Sequence, residues 1–181
     1  MLNKGIRVLL AATLALGFAE AAQASRSEGA ATGRNGVIRC GGNNFLRLGG
    51  TEVHTASYVL RNFDATTPIV IDRIRLWNAN GVALFDSASS ALPAFENGVL
   101  GPGNNALQPN QTAQLNTEDV VGFQSQSERP LQMEVQWSAA KAALSLDAIT
   151  VRISRRRDPA TGQIFEERGR HAIDCRSILL K

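Results

Sequence analysis

The sequence predicts an all-β chain, an antiparallel sandwich of seven to nine short strands behind an N-terminal signal peptide. Three observations predict it. Leu131-Gln-Met133-Glu-Val135-Gln-Trp137 alternates apolar and polar residues with period two, as a strand does when one face is buried and the other wet. Turn residues recur every 8–12 positions, the spacing of an antiparallel sandwich. No alternation of strands with long helical patterns is present, which argues against a parallel sheet. A closed barrel is the alternative arrangement of the same strands.

The first element is the export signal. Lys4 and Arg7 precede an apolar run from Val8 to Ala19, and Ala22-Gln-Ala24 follows as a cleavage signature. The run is too short to anchor in a bilayer, and no stretch of eighteen apolar residues remains downstream. We expect cleavage after Ala24 and a periplasmic or secreted protein without a transmembrane segment. Residues 1–24 are then the signal peptide, 25–36 a small, polar, flexible lead-in, and 37–181 one β-sandwich domain.

The strands are expected near 37–40, 44–48, 55–63, 69–77, 82–85, 112–116, 131–137, 149–155 and 163–175. Between Ile71 and Ile74 the apolar phase shifts, so a bulge or bend is expected near Asp72-Arg73. Asn78-Ala-Asn80-Gly81 is a hairpin turn, because Asn-Gly tolerates positive φ. Residues 87–110 carry Pro93, Pro102 and Pro109 and form a long irregular segment. Ser138 to Leu146 favours a short helical turn or a loop. Ile149, Val151 and Ile153 repeat the alternation of the 131–137 strand. Asp158-Pro-Ala-Thr-Gly162 turns the chain into 163–175, which is one strand or two strands broken near Gly169. Trp77 and Trp137 are expected as core anchors.

Cys40 and Cys175 are the only cysteines. In an oxidising compartment such a pair forms a disulfide, here tying a first, edge strand to the last. A loop of that size contributes about 5 kcal/mol in the chain-entropy model. A metal site from Cys40, Cys175, His54 and His171 lacks the spacings that zinc sites use.

The composition bounds function. Hydrophobic residues make up 44% and charged residues 19%, which excludes wholesale disorder. The net charge is +3, too weak for a nucleic-acid binder. Arg152, Arg155, Arg156, Arg157, Arg168, Arg170, Arg176 and Lys181 concentrate the positive charge in the last segment. Arg155-Arg156-Arg157, near the tip of the last hairpin, is the candidate site for an anionic partner, although arginines there also protect a sheet edge from aggregation. Nucleophile elbows, H-E-x-x-H and phosphate-cradling loops are missing. The adjacent carboxylates Glu118-Asp119 and Glu166-Glu167 point to opposite faces of any strand and form no automatic acid/base pair. We therefore assign no catalytic residue, no metal and no cofactor.

Ser57-Tyr-Val-Leu-Arg-Asn62-Phe-Asp64, Ile69-Val-Ile71, Leu76-Trp-Asn-Ala-Asn-Gly81, Leu107-Gln-Pro109, Met133-Glu-Val-Gln-Trp137 and Glu167-Arg-Gly-Arg170 together resemble a group of uncharacterised secreted bacterial β-sandwich domains. The likeness spans about residues 53–173. It implies an immunoglobulin-like sandwich and export, and it carries no activity over. The cysteine pair and the Pro/Gly segment are where this chain would depart from that group.

The expected function is an exported, non-catalytic binding or assembly module of the bacterial cell envelope, with a protein or an anionic envelope polymer as partner. The alternatives are a cell-envelope hydrolase using His54 or His171 with a carboxylate and a serine, or a structural subunit of a surface fibre. Fibre subunits place their cysteines close in sequence, which these are not.

Overall fold

The computed structural model describes residues 35–42, 44–46, 51–122, 124 and 128–179. The signal peptide and residues 25–34 of the lead-in lie outside them. Eleven strands follow one another among the described residues: β1 (Asn35–Gly41), β2 (Phe45–Leu46), β3 (Glu52–Asn62), β4 (Ile69–Trp77), β5 (Ala83–Asp86), β6 (Ala106–Leu107), β7 (Thr112–Asn116), β8 (Gln132–Ala139), β9 (Leu144–Arg157), β10 (Ile164–Ile173) and β11 (Cys175–Leu179). Two short helices, α1 (Ser87–Ser90) and α2 (Thr117–Val121), precede β6 and follow β7. The first strand thus begins two residues inside the segment expected to be lead-in.

All pairings are antiparallel and fall into two sheets. One runs β11-β1-β8-β4-β5, with β6 also on β4. The other runs β10-β9-β3-β2, with β7 also on β3. Ile38, Ile69, Ile71, Ile74, Leu76, Met133, Val135 and Trp137 of the first face Ala56, Tyr58, Leu60, Ala113, Leu115, Leu144, Leu146 and Ala148 of the second in one buried core. That core is what period two in 131–137 requires.

The bulge is where the sequence put it. Pairing of β4 with β8 shifts register between Ile71 and Arg73, and Asp72 is the extra, exposed residue. It returns Ile74 and Leu76 to the core after Ile69 and Ile71. The same shift corrects the expectation for Trp77. Out of phase with Leu76, Trp77 is half-buried on the outer face, with the Arg75 guanidinium 4.7 Å from its ring centroid. Trp137 is a core anchor, 1% exposed. At Asn78–Gly81 the hairpin closes through Asn78 Oδ1, which accepts from the amides of Asn80 and Val82 at 3.0 Å, and Gly81 has φ +74°.

Three other segments take definite form. Of the two readings of 138–146 the loop holds, confined to 140–143, because β8 runs to Ala139 and β9 starts at Leu144. Leu144, Leu146 and Ala148 gain burial by pairing with β3, and this outweighs the weak helical preference of Ala, Lys and Leu. Of one strand or two over 163–175, the single strand holds through Gly169 to Ile173, and the chain breaks only at Asp174, where it leaves one sheet for the other. The irregular segment 87–110 contributes Phe95, Leu100 and Leu107 to the core.

Cys40 and Cys175 form the disulfide, with Cα atoms 4.1 Å apart. They are register partners of β1 and β11. β1 is not an edge strand, however: it lies between β11 and β8, and β11 takes the edge.

Candidate functional site

The arginine run lies on an arm. β9 and β10 pair continuously from Ala148–Ile173 to Arg157–Ile164, but burial on β9 stops at Ala148. Pairing of β9 with β3 ends at Glu52–Ser154, and the Arg155 amide donates to Thr51 O at 2.7 Å. Beyond that point the arm is a two-stranded hairpin with no core beneath it. Asp158 builds its tip: Oδ1 accepts from the Ala160 amide at 2.8 Å, O accepts from the Gly162 amide at 2.8 Å, and Gly162 has φ +70°. The Ala160 amide foremost, then the hydroxyl and amide of Thr161, hold the Asp158 carboxyl below its ordinary pKa. Ile164 and Phe165, 61% and 53% exposed, follow directly.

Strand alternation separates the three arginines. β9 stays in register with β3 without a bulge. With Leu144, Leu146 and Ala148 facing the core, Ile149, Val151, Ile153, Arg155 and Arg157 take the opposite, outer face. Arg156 is on the other side, where it lines a cleft of 310 Å³ with Phe165 and Glu167. This corrects the expectation for Ile149, Val151 and Ile153. Their alternation is real, but it does not face the core: Ile149 is exposed and the other two are half-buried. Alternation alone names two faces without saying which is covered, and Leu144 and Leu146 settle that.

The register then joins β9 to residues far along the chain. Arg168 stands beside Ile153, Arg170 beside Val151 and Ala172 beside Ile149. On the other flank stand Val53, Thr55 and Ser57 of β3. Glu166 is bridged by Arg155 Nε at 3.0 Å and Arg168 Nε at 2.6 Å, and these guanidiniums, Arg168 foremost, hold its carboxyl below the usual range. Arg157 and Arg170 have no ion pair among the described residues.

The histidines are apart. His171 is exposed on β10. His54 Nε2 is 2.5 Å from Glu52 Oε1, and Arg152 Nε donates to the same oxygen at 3.0 Å. Glu52 is buried, so the cluster joins a buried carboxylate to two cationic or titratable partners.

On the outer face of the other sheet is a charge network that the sequence concealed. Arg176, Arg39, Glu134 and Arg75 form one row across β11, β1, β8 and β4. Glu134 is 1% exposed, under Arg39 Nε at 2.8 Å and Arg75 Nε at 3.1 Å, with Gln136 Nε2 at 2.9 Å. Desolvation pushes its pKa up, but the hydrogen bonds from Arg75, Gln136 and Arg39 outweigh this and leave it lowered. Asp86 ends the row against Arg75 and accepts a two-pronged contact from Arg73, which with the Ala88 amide lowers its pKa to about 2. Arg39 and Arg176 also line a groove of 430 Å³ beside the disulfide. The sequence signal was Glu134 at the centre of a period-two strand, but the arginines that cover it come from other strands.

A pH dependence follows. Asp86 and Glu134 bind protons less readily folded than unfolded. Their contribution is therefore complete above the ordinary carboxyl range and is lost as acid protonates the folded forms. For Asp86 that window runs from its ordinary 3.8 down to about 2. The urea midpoint of the protein should fall through that window. Asp86→Asn combined with Glu134→Gln should flatten the fall; an equally steep profile in the double variant would count against the network.

No protein-family model matches this chain, and no curated protein matches it. A solved structure of Thermotoga maritima 1070 is similar at 10% sequence identity with a TM-score of 0.34, covering 78% of this chain and 93% of that one. No helix of the described residues is long and apolar enough to cross a membrane.

Proposed function

We propose that this chain is an exported, non-catalytic binding or assembly module of the bacterial cell envelope, an immunoglobulin-like sandwich that meets an anionic partner through the β9–β10 arm. One observation carries the reading. The arm extends past the core with Arg155, Arg156 and Arg157 exposed on its first strand and Ile164 and Phe165 exposed on its second. A hairpin that carries this much unburied surface adds little to the fold, whereas clustered guanidiniums attract phosphate, sulfate and carboxylate groups. The outer edge of β10 has no strand partner among the described residues, and such an edge is where a protein partner could add a strand. The basic start, the apolar run and Ala22-Gln-Ala24 support export, and the disulfide suits an oxidising compartment.

Replacing Arg155, Arg156 and Arg157 together by serine tests the reading. The variant should keep its circular dichroism spectrum and elute from a heparin-type resin at markedly lower salt. Elution at the same salt as the parent would remove the anionic partner from this site.

A further inference from the structure

We propose that the outer face of the β9–β10 arm docks on an anionic phospholipid bilayer surface, an inference that rests on the proposed role of the arm and names its partner. Three rows run across β3, β9 and β10 on that face: Val53–Ile153–Arg168, Thr55–Val151–Arg170 and Ser57–Ile149–Ala172. Further along the same face come Arg155 and Arg157, with Glu166 and Ile164 opposite them. An aliphatic stripe on β9 therefore runs beside two arginines and ends in two more. Over β9 and β10 on that face four arginines meet Glu166 alone, and Glu118 accepts a hydrogen bond from Thr55 at the β3 margin.

The combination selects the partner. A soluble polyanion needs only the guanidiniums and gains nothing from the half-exposed Ile149, Val151 and Ile153. A second copy packed on this face would set the same four arginines against themselves. A bilayer of anionic lipids offers both complements: phosphates for the arginines at head-group depth, and acyl-chain boundary for the stripe between them. Arg157 and Arg170, without ion pairs among the described residues, remain available for phosphate. Arg156, on the opposite face, does not take part.

Co-sedimentation of the full chain with phosphatidylglycerol vesicles and with phosphatidylcholine vesicles provides the test. The protein should sediment with the anionic vesicles and not with the neutral ones. Arg168→Ser with Arg170→Ser should lower the partition coefficient roughly 30-fold, from about 1 kcal/mol of attraction per surface arginine. Ile149→Ser with Ile153→Ser should lower it about tenfold, from lost apolar burial, while leaving elution from heparin unchanged. Arg156→Ser should change it less than about twofold. Arg170→Ser alone, at an exposed position without an ion pair among the described residues, repeats the measurement without risk to the fold. Equal sedimentation with both vesicle types, no sedimentation at all, or an isoleucine variant that partitions like the parent would each overturn lipid docking. Heparin retention separates the two levels. If it persists in the parent while vesicles are not bound, the anionic-partner reading stands and the lipid fails. If retention is absent as well, both fail.

Discussion

Replacement of Cys40 and Cys175 by serine is expected to lower stability by about 2–5 kcal/mol, and reduction of the parent protein should do the same. The cysteines are 135 positions apart, so the bridge removes a very large loop from the unfolded ensemble. In the folded chain the effect is local as well. β11 is an edge strand that pairs only with β1, its five residues matching Gly36 to Cys40. Without the bridge it is held chiefly by those backbone hydrogen bonds. Urea unfolding with and without reductant measures the global change. Hydrogen exchange should show β11 losing protection first while β8, between β1 and β4, keeps it. A midpoint unmoved by reductant would contradict this account.

The second large effect is expected where Trp137 crosses Gly36. These residues are register partners of β8 and β1, and a Cβ on Gly36 would lie 2.6 Å from the indole. The ring occupies the space that any other residue would fill. Trp137→Ala should cost about 3–5 kcal/mol, for lost burial and the cavity left behind. Gly36→Ala should cost about 1–3 kcal/mol, because the indole must shift within a packed core. The two costs should not add: with the ring gone the new methyl meets open space, so the double variant should be more stable than the sum of the singles predicts. Additive penalties in urea unfolding would show that the contact is not the source. The indole Nε1 has no hydrogen-bond partner among the described residues, so Trp137→Phe should be the mildest replacement.

Local pattern and tertiary arrangement were legible to different degrees. The bulge at Asp72 could be foreseen because a core strand cannot bury Ile71 and Ile74 together without an extra residue. Asn78–Gly81 and Asp158–Gly162 could be foreseen because their turns need particular side chains. The face of Ile149, Val151 and Ile153 could not, since period two gives two faces and only the cross-strand register decides between them. Nor could the breakpoint at Asp174, which depends on where the chain changes sheets rather than on the glycine inside β10. The site divides the same way. Arg155 to Arg157 stood out as a run, but alternation sets Arg156 apart and register supplies Arg168 and Arg170 instead. Glu134 looked like any solvated strand residue because Arg39 and Arg75, about 95 and 59 positions away in sequence, cover it only after folding.

The pairing of β1 with β11 also bears on how the molecule would respond to tension. Gly36 lies opposite Leu179, and Cys40 lies opposite Cys175. The two ends of the folded chain therefore leave side by side, and a pull that separated them would unzip the strands from that end. Unzipping would open Gly36, Val37, Ile38 and Arg39 from their partners and then halt at a covalent bond. The bridge would bypass the covalent chain between residues 40 and 175, the arm included, and β8 would share the load only through its hydrogen bonds to β1.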